Sequence, residues 1–210
     1  NSVRLQFENV PGFSQSPTYT GLPDDQYYYM HDFRGYVWDE GRAFGGHDDF
    51  TSTGNQNVVT EVDVSGSTYT RIVKIANGAS GSPPGRIVMG TSVYEDKLYM
   101  FGGYISTWLN DLWELDLLSY TWKQITYGGS APPARSSFHM RTYNDKIYIF
   151  GGGDAGFYND LWELDLKTFT FTSISTVISP SARYGQGMDI YDNALYIFGG
   201  VISGGRENDT

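Results

Sequence analysis

The stretch that decides the fold reads YEDKLYMFGG at residues 94–103 and continues NDLWELDL at residues 110–117. It returns as YNDKIYIFGG at residues 143–152 and NDLWELDL at residues 159–166, shifted by 49 residues without a gap. Turn residues, a Gly-Gly pair and an aromatic core recur together. This points to one structural unit that is used repeatedly along the chain.

The repeat extends well beyond this stretch. The segments 83–125 and 132–174 are identical at 20 of 43 aligned positions. A third copy opens at Pro180 and passes through YIFGG at residues 196–200, and a diverged copy contains FGG at residues 44–46. A period of about 40 to 50 residues with Gly-Gly and Trp is typical of a propeller blade, a four-stranded unit repeated around an axis.

Period-two alternation predicts four strands within a repeat. In the copy that starts at Pro83 these strands are Val88–Tyr94, Lys97–Phe101, Leu112–Leu117 and Tyr120–Ile125. The first two are separated by two residues of turn-forming type, which predicts a tight antiparallel hairpin. Helical periodicity is not seen, so the predicted class is all-β.

The repeat resembles the kelch repeat, in which a Tyr precedes a Gly-Gly pair that ends a strand and a Trp follows. Phe101-Gly102-Gly103 followed by Trp113, and Phe150-Gly151-Gly152 followed by Trp162, carry these marks. The second of these copies departs from the pattern, because Phe171 stands where the first has a Trp. The resemblance covers about residues 30–210 and implies a β-propeller of four-stranded antiparallel blades.

We expect this propeller to be incomplete in the chain, with about three full blades and part of a fourth. The predicted segments are an N-terminal strand or extension at 1–28, a diverged blade at 29–76, blades at 83–127 and 132–176, and a partial blade at 180–210. A closed propeller needs at least about four blades. The remaining blades would come from the rest of a longer chain or from association.

Composition excludes several classes of function. The formal charge is −10, from 24 acidic and 14 basic residues. Nucleic acid and anionic membranes are bound by clustered Lys and Arg, so neither is an expected partner. The chain lacks a run of about 18 apolar residues, which predicts no membrane insertion. It also has no Cys, which excludes disulfides, thiolate metal sites and Cys nucleophiles.

Acidic pairs and one histidine are the other candidates for chemistry. Carboxylates two residues apart share a strand face and could form an acid–base pair. Such pairs are Glu61/Asp63, Glu114/Asp116 and Glu163/Asp165. One active site needs one pair rather than three, so no catalytic residue is assigned. The run His47-Asp48-Asp49 has metal-ligand chemistry, but neighbouring loop residues seldom converge on one ion. We therefore predict no metal site and no cofactor.

Two groups of enzymes with similar propellers carry features that are missing here. Galactose-oxidase-like copper enzymes need a Tyr crosslinked to a Cys. Nitrile-specifier proteins carry a Glu-x3-Asp-x3-His iron motif, and no Glu in this sequence has Asp at that spacing. A sialate-mutarotase-like activity stays open, because the site of that family is not carried by a local motif.

An arginine recurs after the Pro-containing connection of three repeats, as Arg86, Arg135 and Arg183. Guanidinium groups at equivalent positions would point toward one end of the propeller and could bind an acidic partner. Alternatively, each pairs within its own blade, for instance with the third-strand acids Glu114 and Glu163. A residue found in every blade is commonly required by the blade itself.

The loops after the Gly-Gly pairs differ most between copies and are rich in aromatic residues. The candidate partner-binding residues are Tyr104, Trp108, Phe157 and Tyr158, together with the three arginines. Variable loops on a repeated framework suit a scaffold that presents them, and Tyr and Trp are frequent interface anchors. These loops and the blade-to-blade connections should emerge at the same end, because the strands alternate in direction. Alternatively, the ring of Trp108 or Phe157 covers the blade edge locally.

The sequence therefore favours a non-catalytic interaction scaffold that binds a partner protein of unknown identity through these loops. The alternative is a carbohydrate-active or small-ligand propeller enzyme, sialate-mutarotase-like or related to the oxidases, with its site outside this segment.

Overall fold

The structure, a computed structural model, describes residues 37–39, 42–45, 59–63, 70–75, 78–177 and 179–206. Within those ranges the chain consists of β-strands, turns and loops, as the all-β prediction requires. The same ranges contain no helix long and apolar enough to cross a membrane. The predicted strand within residues 1–28, the run His47-Asp48-Asp49 and residues 207–210 lie outside the described residues.

Three antiparallel sheets each contain four strands in chain order. The first is made of β1 (Val37–Asp39), β2 (Arg42–Gly45), β3 (Val59–Asp63) and β4 (Thr70–Ile75). The second is made of β5 (Gly90–Tyr94), β6 (Lys97–Phe101), β7 (Leu112–Asp116) and β8 (Thr121–Ile125). A short strand, β9 (Gly128–Gly129), follows and joins the third sheet.

The remaining strands continue the pattern. The third sheet is made of β10 (His139–Tyr143), β11 (Lys146–Phe150), β12 (Leu161–Asp165) and β13 (Thr170–Ile174), and β9 pairs in parallel with β13. The fourth blade contains the hairpin of β15 (Gly187–Tyr191) and β16 (Ala194–Phe198). Beside it, β14 (Arg183–Tyr184), β17 (Val201–Ile202) and β18 (Gly205–Arg206) form a small sheet. The prediction of partial propeller architecture is confirmed.

The third strand ends at Asp116, one residue before its predicted end, and two strand starts differ from the prediction for one shared reason. The strand predicted to begin at Val88 begins at Gly90, and the one predicted to begin at Tyr120 begins at Thr121. Val88 and Tyr120 have φ angles of 51° and 54°, which place them in the left-handed region. A residue in that conformation cannot continue a β-ladder, whatever its side chain contributes to the apolar alternation.

The predicted two-residue hairpin turns are confirmed. Asn144 and Asp145 have φ angles of 49° and 59°, and Asp192 and Asn193 have φ angles of 47° and 61°. Two consecutive left-handed residues form the turn whose twist matches that of paired strands. Asn and Asp occupy these positions because they adopt this conformation at low cost.

The hydrophobic core lies between neighbouring blades. Phe101 and Leu112 from the second blade pack with Ile147, Ile149 and Leu164 from the third, and all five are buried. Alternation within each strand therefore sends successive side chains to opposite neighbours, so each blade depends on the next for its burial.

The two third-strand tryptophans, Trp113 and Trp162, occupy equivalent places in their strands. Trp162 is buried, with 8% of its surface exposed, and Trp113 is half-buried. The ring of Trp113 meets Trp122 in a T-shaped contact with a centroid distance of 6.5 Å. The predicted strand register is consistent with these positions.

Hydrogen bonds join consecutive blades where the chain enters each inner strand. The amide of Ser137 donates to the carbonyl of Val88 at 2.8 Å, and the amide of Gly185 donates to Ser137 at the same distance. All three residues have left-handed backbone, with φ angles of 51°, 58° and 69°. At the opposite end, Tyr94 Oη donates to Asp145 of the next blade, and Tyr143 Oη donates to Asn193.

Candidate interaction surface on the loops after the Gly-Gly pairs

The Gly-Gly pairs at residues 102–103 and 151–152 anchor their loops to the connection that leads into the next blade. Gly102 has a φ angle of 61°, and a Cβ there would lie 2.8 Å from the carbonyl oxygen of Arg135. The amide of Gly103 donates to that same carbonyl at 2.9 Å, and the amide of Arg135 donates to Leu109 at 3.0 Å. The close approach of two backbones requires glycine here. Loop and connection consequently form one surface at one end of the propeller.

Arg86 and Arg135 lie beneath this surface. Both side chains are almost completely buried, and each forms a two-pronged pair with an aspartate of its own blade. Arg86 donates to the two carboxylate oxygens of Asp111 at 2.5 and 2.9 Å. Arg135 donates to those of Asp160 at 2.7 and 2.6 Å. Pairing within the blade was one of the two predicted alternatives, but the partners are these aspartates.

The predicted partners, Glu114 and Glu163, instead accept hydrogen bonds from lysines. Lys97 Nζ lies 2.5 Å from Glu114 Oε1, and Lys146 Nζ lies 2.5 Å from Glu163 Oε1. The correction has a geometric cause. The two glutamates sit within strands β7 and β12, opposite the second strand, whereas each aspartate precedes its strand at the end where the arginine lies.

The third arginine repeats part of this arrangement. Arg183 is fully buried and donates to the carbonyl of Gly199 at 2.9 Å and to that of Ser181 at 3.0 Å. The aspartate that the repeat places opposite it is Asp209, which lies outside the described residues.

The paired aspartates remain ionised although they are partly buried. Burial opposes ionisation of Asp160, but hydrogen bonds from Arg135 and Trp162, together with the arginine charge, outweigh it and lower the pKa of Asp160. For Asp111, burial is likewise outweighed by hydrogen bonds from Arg86 and from the indole of Trp113, so its pKa is also lowered. A charged carboxylate therefore compensates each buried guanidinium.

The four predicted aromatic residues lie on neighbouring loops at this end. Tyr104 and Trp108 contact each other within one loop, with a centroid distance of 5.5 Å. The ring of Tyr158 lies over the guanidinium of Arg135 at 4.4 Å, and its hydroxyl donates to Asp154 at 2.8 Å. Tyr104, Trp108 and Tyr158 are half-buried, and Phe157 is 38% exposed.

Tyr184 belongs to this surface and was missed from the sequence. Its ring packs against Phe157 with a centroid distance of 4.9 Å, although the two residues belong to consecutive blades. The available signal was its position directly after the recurring arginine, which is Ile87 in one copy and Ser136 in another. A variable residue beside an invariant one can indicate an exposed position, but the contact itself depends on how blades pack.

Loops 104–109 and 153–158 contain one carboxylate, that of Asp154, and it is exposed. Residues 104–109 include no ionisable acid or base other than Tyr104. In the next loop, hydrogen bonds from the amide of Gly156 and from Tyr158 lower the pKa of Asp154. In the described ranges, no group of three or more His, Asp and Glu side chains could hold a metal ion.

Comparison with known proteins agrees with the architecture. The family description "KLHDC2/KLHL20/DRC7 Kelch-repeats domain" matches residues 42–210. Acyl-CoA-binding domain-containing protein 5 of Arabidopsis thaliana is 38% identical over 77 residues, which are 36% of this chain and 12% of that protein. The solved structure of YjhT shares the fold, with a TM-score of 0.64 and 16% identity, over 81% of this chain and 58% of that one. Since the family match spans most of the sequence, the chain belongs to the KLHDC2/KLHL20/DRC7 Kelch-repeats domain family.

Proposed function

We propose that this kelch segment is a non-catalytic interaction module that binds a partner protein through the loops after its Gly-Gly pairs. The observation that carries the proposal is the aromatic surface formed by Tyr104, Trp108, Phe157 and Tyr158 on neighbouring loops. Partly exposed aromatic rings in a polar surround are typical of interface anchors.

The arginines support this surface without facing the partner. Arg86, Arg135 and Arg183 are at most 3% exposed, so an acidic ligand cannot reach their guanidinium groups in this conformation. Arg135 also supports the ring of Tyr158 from below. We therefore assign the three residues the role of fixing loop geometry, which lowers the entropy lost on binding.

A non-catalytic role is also supported by how the acids are used. Glu114 and Glu163 pair with lysines, while Asp116 and Asp165 accept hydrogen bonds from the turn that follows each third strand. The carboxylate pairs considered for acid–base chemistry thus act as internal structural partners in two consecutive blades.

The test compares the wild-type chain with the double variant Trp108→Ala plus Tyr158→Ala. A partner protein recovered by affinity purification with the wild-type chain is measured against both by calorimetry. We expect the double variant to lose about 2 kcal/mol or more of binding free energy, as for an interface hot spot. Leu118→Ala is the control, because Leu118 is 75% exposed in a turn at the opposite end. Unchanged affinity in a double variant with a normal thermal melt would contradict the proposal.

A further inference from the structure

Glycine begins the first strand of the second blade and of the fourth. These residues are Gly90 in β5 and Gly187 in β15, and the third blade has His139 at this place in β10. A Cβ at Gly90 would lie 2.2 Å from Cε2 of Phe138, the residue directly before the first strand of the next blade. The ring of Phe138 therefore occupies the space that a side chain at residue 90 would take. One blade leaves a space, and one residue of the following blade fills it.

The third and fourth blades meet without an aromatic ring at this place. The residue directly before β15 is Gln186, which is fully buried and donates through Nε2 to the carbonyl of Phe150 at 2.8 Å. Phe150 is the strand partner of His139. Because the two interfaces are equivalent, a ring placed like that of Phe138 would overlap the Cβ of His139. The residue that begins one first strand thus limits which residue can precede the next one.

The same space is open at Gly187. Gly90 is buried, whereas Gly187 is exposed, and a Cβ at Gly187 would meet nothing nearer than the carbonyl oxygen of Phe198 in its own blade, at 3.7 Å. Phe101, the equivalent of Phe198, is 0% exposed and meets the ring of Phe138 with a centroid distance of 5.9 Å. Phe198 is 54% exposed. The fourth blade therefore presents the space and the ring that receive Phe138 in the second blade.

A tyrosine on the same face repeats a contact that joins the other blades. Its equivalents, Tyr94 and Tyr143, donate through Oη to the second residue of the next blade's hairpin turn, which is Asp145 in one case and Asn193 in the other. Tyr191 shares a face of β15 with residue 187, because side chains alternate along a strand, and it is 75% exposed. Its hydroxyl lies where a following blade would offer an Asp or Asn side chain.

We propose that the open face of the fourth blade binds a further kelch blade, and that Gly187 selects one with an aromatic residue directly before its first strand. The open face consists of Gly187, Tyr191, Tyr196 and Phe198. The selected ring lies against Phe198, and an Asp or Asn of the hairpin turn accepts the hydrogen bond of Tyr191. A blade is the occupant because the chain already covers this face with a blade twice, in its second and third blades. The inference concerns a second surface and does not depend on the proposed function.

The selection is first tested inside the chain, by moving the combination of His139 and Gln186 one blade back. Gly90→His alone should lower the urea midpoint of unfolding, because its Cβ meets the ring of Phe138. Phe138→Gln alone should also lower it, because the ring no longer covers Phe101. In Gly90→His plus Phe138→Gln, the loss should be about half the sum of the two single losses or less. A loss equal to that sum would show that the two positions are not coupled and would overturn the selection.

The open face is tested with a peptide closed head to tail that copies residues 137–152. These residues contain the first hairpin of the third blade, with Phe138 and Asp145. A second peptide differs from it by Phe138→Gln. Both are labelled, and their binding to the 210-residue chain is measured by fluorescence anisotropy at chain concentrations too low for self-association. The chain variants are Gly187→His, Tyr191→Phe and the control Leu118→His, since Leu118 is exposed in a turn outside this face.

We expect the wild-type chain to bind the Phe138 peptide about tenfold or more tightly than the Phe138→Gln peptide, the difference expected for one interface anchor. Gly187→His should remove this preference, because the imidazole takes the space of the ring. Leu118→His should keep it. Tyr191→Phe should weaken the binding of both peptides, because the hydrogen bond to their turn is lost.

The remaining outcomes separate this proposal from the loop surface. Trp108→Ala plus Tyr158→Ala should bind both peptides as the wild type does, and a loss of binding there would mean that the peptides contact the loops instead. The same preference in the wild type and in Gly187→His would overturn the role of Gly187. If neither peptide binds, a further blade is not the occupant, and sedimentation of the chain with and without Tyr196→Glu plus Phe198→Glu would show whether a second copy is.

Discussion

A buried guanidinium group is tolerated in the second and third blades because it donates hydrogen bonds to a carboxylate and to two backbone carbonyl groups. Arg135 donates to Asp160, to the carbonyl of Gly151 at 3.0 Å and to that of Pro133 at 3.2 Å. The arginine could be found from the sequence because it recurs. Glu163 was only an example of a possible partner within the blade, because strand alternation indicates the face that a residue occupies but not the distance along the blade that an arginine side chain spans. The aspartate recurs equally often, and that repetition was the usable signal.

The pair of Arg135 with Asp160 predicts a large loss of stability in the variant Asp160→Asn. The substitution leaves a buried guanidinium without its counter-charge, which costs about 3–5 kcal/mol. We expect the free energy of unfolding at pH 7 to fall by this amount in urea titrations followed by Trp fluorescence. Asp189→Asn should cost less than about 1 kcal/mol, because its pair with Arg141 is exposed. Equal losses in the two variants would contradict this account.

The carboxylate of Asp160 also predicts how the stability of the fold depends on pH. The pKa of folded Asp160 lies below its unfolded value of about 3.9. Its stabilising contribution is therefore complete above the unfolded pKa and is lost as pH falls through the folded one. The difference in unfolding free energy between the wild type and Asp160→Asn should shrink on acidification from pH 5 to about pH 2. A difference that stays constant over this range would show that the charge of Asp160 is not what stabilises the fold.

At the scale of elements, the sequence predicts most strands and the hairpin turns. Strand β6 and the turns at Asn144-Asp145 and Asp192-Asn193 were identified because alternation and turn chemistry agree there. Starts at Val88 and Tyr120 were misplaced because left-handed backbone at a non-glycine residue leaves no mark in the apolar pattern. The contact of Phe157 with Tyr184 was beyond reach, since it depends on packing between blades.

The contact between Gly102 and the carbonyl of Arg135 predicts that Gly102→Ala destabilises the fold more than an alanine at a glycine with free space around it. Gly81 is the control, because its φ angle is also positive at 80° and a Cβ there would meet nothing within 4 Å. Left-handed strain of about 1–2 kcal/mol is common to both variants. At Gly102 the clash with the carbonyl of Arg135 should add about 1–3 kcal/mol. Thermal and urea unfolding of the two variants measures the difference. Equal destabilisation would mean that the backbone at Arg135 moves to accept the new methyl group.

At the scale of the molecule, each blade covers the apolar face of its neighbour, except at one described face. Tyr99 and Phe101 are 3% and 0% exposed between the second and third blades. Their equivalents in the fourth blade, Tyr196 and Phe198, are 57% and 54% exposed, and Tyr191 beside them is 75% exposed. An exposed apolar surface of this kind favours association.

We expect the 210-residue chain to self-associate through this face. Tyr196→Glu plus Phe198→Glu should reduce association, because like charges would then face each other across the contact. Sedimentation velocity over a range of concentrations measures the effect, and Leu118→Glu adds charge elsewhere as a control. A wild-type chain that stays monomeric at high concentration would count against this expectation.

The parallel pairing of Gly128–Gly129 with Thr170–Phe171 has a consequence for biosynthesis. The glycines leave the ribosome well before their pairing partner has been translated. The connection after the second blade therefore has no strand to pair with when that blade is first complete. Strand β13, the last strand of the third blade, provides this pairing partner once it has been translated. The connection after the second blade is thus paired only once the last strand of the third blade has been translated.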